Sequence, residues 1–93
     1  MIIIAKHNSE IIGAITSGIM GTRVTINHIA ILENYRKMYI GSNLVRLNYD
    51  EIKKRGVKRI FLFVENDDSV ARLFWHKAGF TIRVDEITME RDI

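Results

Sequence analysis

Between Leu32 and Leu44 the apolar pattern changes period, and no other feature of the chain constrains its fold as much. Before that point, apolar residues come in strand-like runs broken by short polar or glycine clusters. Ile2 to His7 reads as a strand, Asn8-Ser9-Glu10 as its turn, and Ile11 to Met20 as a second strand. Gly13 and Gly18 inside that second run point to a bulge or a close backbone approach. Gly21-Thr22 turns the chain into a third strand, Val24 to Leu32. Strict alternation puts Val24, Ile26 and His28 on one of its faces and Thr25, Asn27, Ile29 and Ile31 on the other. Three strands joined by short turns predict an antiparallel meander. Beyond the switch, Leu44, Val45, Asn48 and Ile52 form one helical stripe, with Arg46, Asp50, Lys53 and Lys54 pointing away. Ser42 is placed to cap the start of this helix, and Gly56 follows its end. Val57 to Val64, rich in β-branched and aromatic residues, predicts a buried central strand. Asp67-Asp68-Ser69 caps a second helix, Val70 to Ala78, which Gly79 ends; Phe80 to Val84 and Ile87 to Glu90 predict two closing strands. The expected order is βββ-α-β-α-ββ, a mixed α/β (α+β) sheet in which the meander is followed by a parallel crossover.

A chain of 93 residues is read as a single domain, 1–93. Only about 60–70% of the unfolded surface is buried at this size, so a partner that covers apolar surface is expected to contribute. Without cysteine there is no disulfide, thiolate zinc site or thiol nucleophile. The net charge of +3 is small and dispersed, which does not point to nucleic acid. No stretch reaches the roughly 18 apolar residues of a membrane span, and the Met1-Ile2-Ile3-Ile4 start lacks a basic leader, so a cytoplasmic location is expected.

The connection from Leu32 to Ser42 carries the chemistry. A strand feeding a loop that opens a helix gathers free backbone N–H groups and the positive end of the helix dipole at one point. Arg36 and Lys37 add charge, and Gly41 permits close backbone approach. The plain alternative is a strand–helix connection with two solvated cations.

Ile29-Ala30-Ile31, then Tyr35-Arg36, then Ile40-Gly41-Ser42 resembles the signature of the GNAT N-acetyltransferase superfamily. A second block, Val64, Ala71, Phe74-Trp75, Lys77 and Gly79-Phe80, is similar to that family's later helix and its terminal Gly-Phe. The resemblance runs over roughly residues 29–80. It implies a GNAT-like fold and acetyl-CoA, or another acyl-CoA, as cosubstrate, with an amine as acceptor. It also implies that the backbone of Ile29 and Ile31 binds the pantetheine arm, with the Ile29 amide as candidate oxyanion donor. Arg36, Lys37, Met38, Tyr39, Ile40, Gly41 and Ser42 would receive the pyrophosphate, and Asp68 and Trp75 would lie along the cofactor. The sequence departs from the family at several points. Tyr39 stands where the first loop glycine is usual, Asp68 where a capping Asn is common, and Trp75 where many members carry a proton-donating tyrosine. The family's first strand and next two helices have no counterpart in the sequence. Indole is a hydrogen-bond donor but no practical proton source, so Trp75 is expected to pack along the cleft.

No catalytic side chain is assigned from the sequence. Thr25 and Asn27 do not titrate usefully and are read as structural or substrate-contacting. His28 is read as a core or edge histidine, His76 as solvated, and His7 as lacking a partner. The three show no metal-ligand spacing, so no metal is expected. The leading expectation is an N-acyltransferase in which the amine attacks the thioester directly. The alternatives are an inactive acyl-CoA sensor or interaction module on the same fold, and a small basic nucleic-acid scaffold. Ile2, Ile3, Ile4, Ile11, Ile12 and Ile15 supply apolar side chains to both faces of the first two strands, which predicts an uncovered face, a free edge and a homodimer.

Overall fold

The computed structural model describes all 93 residues. In chain order the elements are β1 (Ile2–His7), β2 (Glu10–Met20), β3 (Arg23–Ile31), a 3-10 turn (Glu33–Tyr35), α1 (Ile40–Lys54), β4 (Arg59–Phe61) and α2 (Ser69–Lys77). They build one four-stranded sheet in the order β1-β2-β3-β4, antiparallel except for the parallel β3–β4 pair. The first hairpin closes through Asn8 (φ 49°) and Ser9 (φ 69°), both left-handed as a two-residue type I′ turn requires.

α1 lies across β1, β2 and β3 on one face of the sheet. Leu44, Val45, Asn48 and Ile52 are its buried residues, the stripe that the helical spacing predicts. With Ile15 and Ile26, Leu44 and Val45 form the centre of the core, and Ile29, Ile31, Phe74, Trp75 and Phe80 pack around it. Asn48 is fully buried; its Nδ2 donates to Ser17 Oγ at 3.0 Å, while its Oδ1 has no partner. Gly13 is a close-approach position, because a Cβ there would stand 2.7 Å from Ile31 Cδ1 and 3.2 Å from the Ala30 carbonyl oxygen.

Strict alternation in β3 does not hold. Thr16 pairs with His28 but Ser17 pairs with Ile26, so Asn27 is an extra residue on β3, a bulge. Val24 and Ile26 before it, and Ile29 and Ile31 after it, therefore share the face toward α1. His28 moves to the opposite, open face and is exposed, which corrects its reading as a core or edge residue. A second irregularity leaves Ile12 unpaired between the Ala5–Gly13 and Lys6–Ile11 pairs.

The element order βββ-α-β-α-ββ is met only as far as α2. α1 starts at Ile40, so Ser42 lies in its first turn and does not cap it. The expected strand Val57 to Val64 contracts to Arg59–Phe61, and it forms an edge of the sheet, not its centre. Its pairing with β3 ends at Thr25–Phe61, just before the bulge bends β3 away. Phe80 to Val84 and Ile87 to Glu90 form no strands. With only three residues in β4, its outer edge offers too short a ladder for them to pair with. An open cleft of about 1480 Å³ separates this terminal segment from β4 and α2. Within the segment, Arg83 bonds Asp85 at 2.8 and 3.2 Å and pairs with Glu86 at 3.2 Å. The hydrogen bonds from Arg83 hold the Asp85 carboxyl below the usual aspartate range, and the same bonds raise the Arg83 guanidinium.

Candidate functional site

The loop from Arg36 to Tyr39 ends at α1 with two left-handed residues, Lys37 (φ 66°) and Tyr39 (φ 62°, ψ 13°). A left-handed residue followed by a helical one turns successive N–H groups into a concave nest. The Tyr39–Ile40 step has this form. Between Lys37 and Ser42 no backbone N–H donates to a protein acceptor; the first bond of the helix is Asn43 N–H to the Tyr39 carbonyl at 3.0 Å. Tyr39 supplies no side-chain cap, and the first turn of α1 holds no acidic residue. These donors and the positive end of the helix dipole therefore converge on solvent, an arrangement that holds anions. Arg36 is anchored beside them, with its Nε donating to the Ile31 carbonyl at 3.1 Å and its remaining guanidinium N–H groups free.

The cradle continues into the free edge of β3. Leu32 N–H donates to the Ile12 carbonyl at 2.8 Å, which fixes the hydrogen-bonding phase of the β2–β3 pair. Ala30 and His28 are then the residues that bond β2, and the N–H groups of Ile29 and Ile31 point to the other edge. No strand pairs with β3 there, because the β4 ladder stops at Thr25. A strip of unpaired backbone thus runs from the bulge to the N-H cradle, with β3 and the chain after β4 parted beside it. The side chains of Ile29 and Ile31 are half-buried against the core, so their contribution to this strip is backbone alone.

The structure brings Ile29, Ile31 and the residues from Arg36 to Ser42 together at this edge. Tyr39 is 79% exposed, so its ring packs against no part of the core. Gly41 turns its Cα toward α2: a Cβ there would lie 3.5 Å from the Phe74 ring and 3.9 Å from Ile29 Cδ1. These are ordinary van der Waals distances, so the packing of the two helices does not itself demand a glycine there. Asp68 caps α2, accepting from Ala71 N–H at 2.9 Å. Trp75 is half-buried and stacked edge-on between Phe74 (centroids 5.0 Å) and Phe80 (5.3 Å). His7, read from sequence as unpartnered, sits 5.7 Å from the Tyr35 ring.

Sequence reasoning missed a cavity of about 470 Å³ on the open face, lined by Thr16, Thr25, Ile26, Asn27, His28 and Phe63. The signal was present. Apolar positions in β3 fall on Val24 and Ile26 and then on Ile29 and Ile31, a change of parity that only an extra residue between them produces.

The chain matches the acetyltransferase (GNAT) family over residues 1–80. It is 32% identical over 63 residues to a mycothiol acetyltransferase of Corynebacterium efficiens, covering 68% of this chain and 21% of that protein. The PaiA N-acetyltransferase of Thermoplasma acidophilum, solved with coenzyme A, superposes with a TM-score of 0.85 at 25% identity over 89% of this chain and 52% of that one. The ribosomal-protein-S18-alanine N-acetyltransferase of Escherichia coli has the same fold, with a TM-score of 0.84 at 21% identity over 90% of this chain and 54% of its own. The chain thus spans about half the length of these solved proteins and about a fifth of the curated relative. The match over residues 1–80, with the mixed sheet and its two helices, makes this chain a member of the GNAT acetyltransferase family.

Proposed function

We propose that the protein binds acetyl-CoA and transfers its acetyl group to an amine by direct attack on the thioester. The observation that carries this reading is the unbroken run of free N–H groups from Lys37 to Ser42, in line with the unpaired edge of β3. The cradle and Arg36 hold the pyrophosphate, and the pantetheine arm lies along Ile31 and Ile29 as an added strand would. The Ile29 N–H faces the thioester oxygen, where charge develops as the amine attacks; a fixed backbone donor there costs little reorganisation. Trp75 packs along the arm and donates no proton, so the thiolate takes its proton from the attacking nitrogen or water. The same aromatic, in place of an acid, favours the second reading, an acyl-CoA sensor without turnover.

The exposed Ile2, Ile4 and Ile11 and the free edge of β1 support a two-fold homodimer joined through the amino-terminal strands. No helix is long and apolar enough to cross a membrane.

Thermal unfolding tests the cofactor. Acetyl-CoA at about 100 times its dissociation constant adds about 2.7 kcal/mol, a shift of several degrees. No shift with acetyl-CoA, CoA or longer acyl-CoAs removes both readings. Binding without acylation of any amine, followed by mass spectrometry, selects the sensor.

A further inference from the structure

We propose that the end of the molecule opposite the cradle binds the phosphodiester backbone of a nucleic acid duplex, through Arg23, Lys53, Lys54, Arg55, Lys58 and Arg59. The net charge of +3 conceals how unevenly the charge is spread. These are six of the 14 lysines and arginines, and five of them fall within residues 53–59, which hold no carboxylate. The other eight cations share the rest of the chain with all 11 aspartates and glutamates. The fold then draws Arg23 to the five. Arg23 and Arg59 are paired residues at the start of the β3–β4 ladder, and Lys58 N–H donates to the Thr22 carbonyl at 3.3 Å. All six side chains belong to exposed residues. A Cβ at Gly21 or Gly56, in the two turns of this end, would meet nothing within 4 Å, so neither turn is covered.

Two carboxylates answer part of this charge. Lys54 pairs with Glu51 at 3.3 Å, and Asp85, held by Arg83, acts on Arg59 through space without a salt bridge. Arg23, Lys53, Arg55 and Lys58 have no ion-pair partner, and the Arg23 guanidinium lies 5.3 Å from the centre of the Phe61 ring. The dipole of α1 accounts for Lys53, Lys54 and Arg55 at its end. It does not account for Arg23 beside Arg59. Like charges on directly paired residues repel, a local cost that a bound anion removes. The ligand follows from charge density. A duplex carries one negative charge per about 1.7 Å of axis, whereas an extended acidic peptide reaches at most one per about 3.3 Å. Arginines on strands about 4.8 Å apart, with cations on the adjoining helix end, suit the denser polyanion. Contacts to phosphate carry no sequence information, so binding is independent of base sequence. Arg23 and Ile31 stand at opposite ends of β3, roughly 25 Å apart, so the duplex does not compete for the cradle. This binding does not depend on acetyl-CoA.

Fluorescence anisotropy of the full chain with labelled RNA and DNA duplexes of about 20 base pairs tests this surface. About four phosphate contacts should give a slope of about −3.6 for log K against log salt, hence roughly a hundredfold loss of affinity from about 50 to 200 mM. Arg23→Gln with Arg59→Gln should flatten that slope by about 2 and weaken binding at least tenfold at the lower salt. Lys6→Gln with Lys37→Gln has the same net charge but changes the cradle end, and should bind the duplex nearly as wild type does. If circular dichroism shows the arginine variant unfolded, Lys53→Gln with Lys58→Gln makes the same comparison. Equal weakening by the two charge-matched variants overturns the proposal, because the attraction then belongs to the whole surface. No binding to either duplex at the lower salt overturns it too. So does polyglutamate that competes as well as duplex at equal charge, which assigns this end to an acidic protein. The tighter of the two duplexes names the source, and equal affinity means that backbone charge alone is read.

Discussion

Tyr39 is a side chain at a left-handed position that suits glycine, and its ring is turned out to solvent. A left-handed backbone costs an L-residue roughly 1–2 kcal/mol, of which glycine recovers part and then loses some to its freer unfolded chain. Tyr39→Gly is therefore expected to stabilise the fold by about 0.5–1 kcal/mol, read as a raised Tm, with acetyl-CoA affinity little changed if the ring stands clear of the cradle. A much tighter complex would mean that the ring does crowd the ligand. Ser17 and Asn48 make a second residue-scale case. Ser17→Ala leaves the buried Asn48 amide only the weak Met1 Sδ acceptor at 3.6 Å and should cost about 1–3 kcal/mol by urea unfolding. Combining it with Asn48→Leu, which also removes the unpaired Oδ1, should recover most of that loss.

Elements were legible wherever one local rule governed them. The α1 stripe, the Asp68 cap and the turn at Asn8-Ser9 each follow from a few neighbouring residues. Asp68→Ala should accordingly cost about 1 kcal/mol and fray the first turn of α2, seen as faster amide exchange at Ala71. What went unread depends on pairs of strands. The length of β4 is set by how far β3 stays straight beside it, and the start of α1 by the left-handed Tyr39, which no propensity of tyrosine signals. The bulge is written in the parity of the apolar positions, Val24 and Ile26 against Ile29 and Ile31, which unbroken alternation cannot place on one face. Deleting Asn27 should restore that alternation and drive either Val24 and Ile26 or Ile29 and Ile31 out of the core. Loss of cooperative unfolding is the expected outcome; a stable protein would show that the register can slip without penalty.

At the scale of the whole molecule, the sheet has one covered and one open face, and only 10 of 93 residues are buried. The open face and free edge were foreseen from the isoleucines of the first two strands; the unpaired terminal segment was not, because its fate depends on an edge that β4 leaves too short. Light scattering over a micromolar concentration series should show a dimer that Ile4→Lys, on the open face of the edge strand, converts to monomer. A monomer at every concentration would rule out that assembly. The terminal segment carries its own pH response. The Asp85 pKa is depressed by Arg83, so the contact is fully present above the pKa of a free aspartate and is lost as pH falls through the lowered value. Carboxyl carbon shifts should show Asp85 titrating below its usual range and moving back up in Arg83→Gln, with the melting of the sheet unaffected.

The nest before α1 has a consequence for how such a site changes over time. Its donors belong to the peptide bond, which every residue except proline carries. Substitutions from Lys37 to Ser42 can exchange nearly every side chain while the hydrogen bonds offered to an anion persist, provided the backbone keeps its two left-handed turns. Two relatives could thus share a ligand and share no residue in this loop, and an amide-to-ester replacement at a single position would remove a contact that a full alanine scan leaves in place.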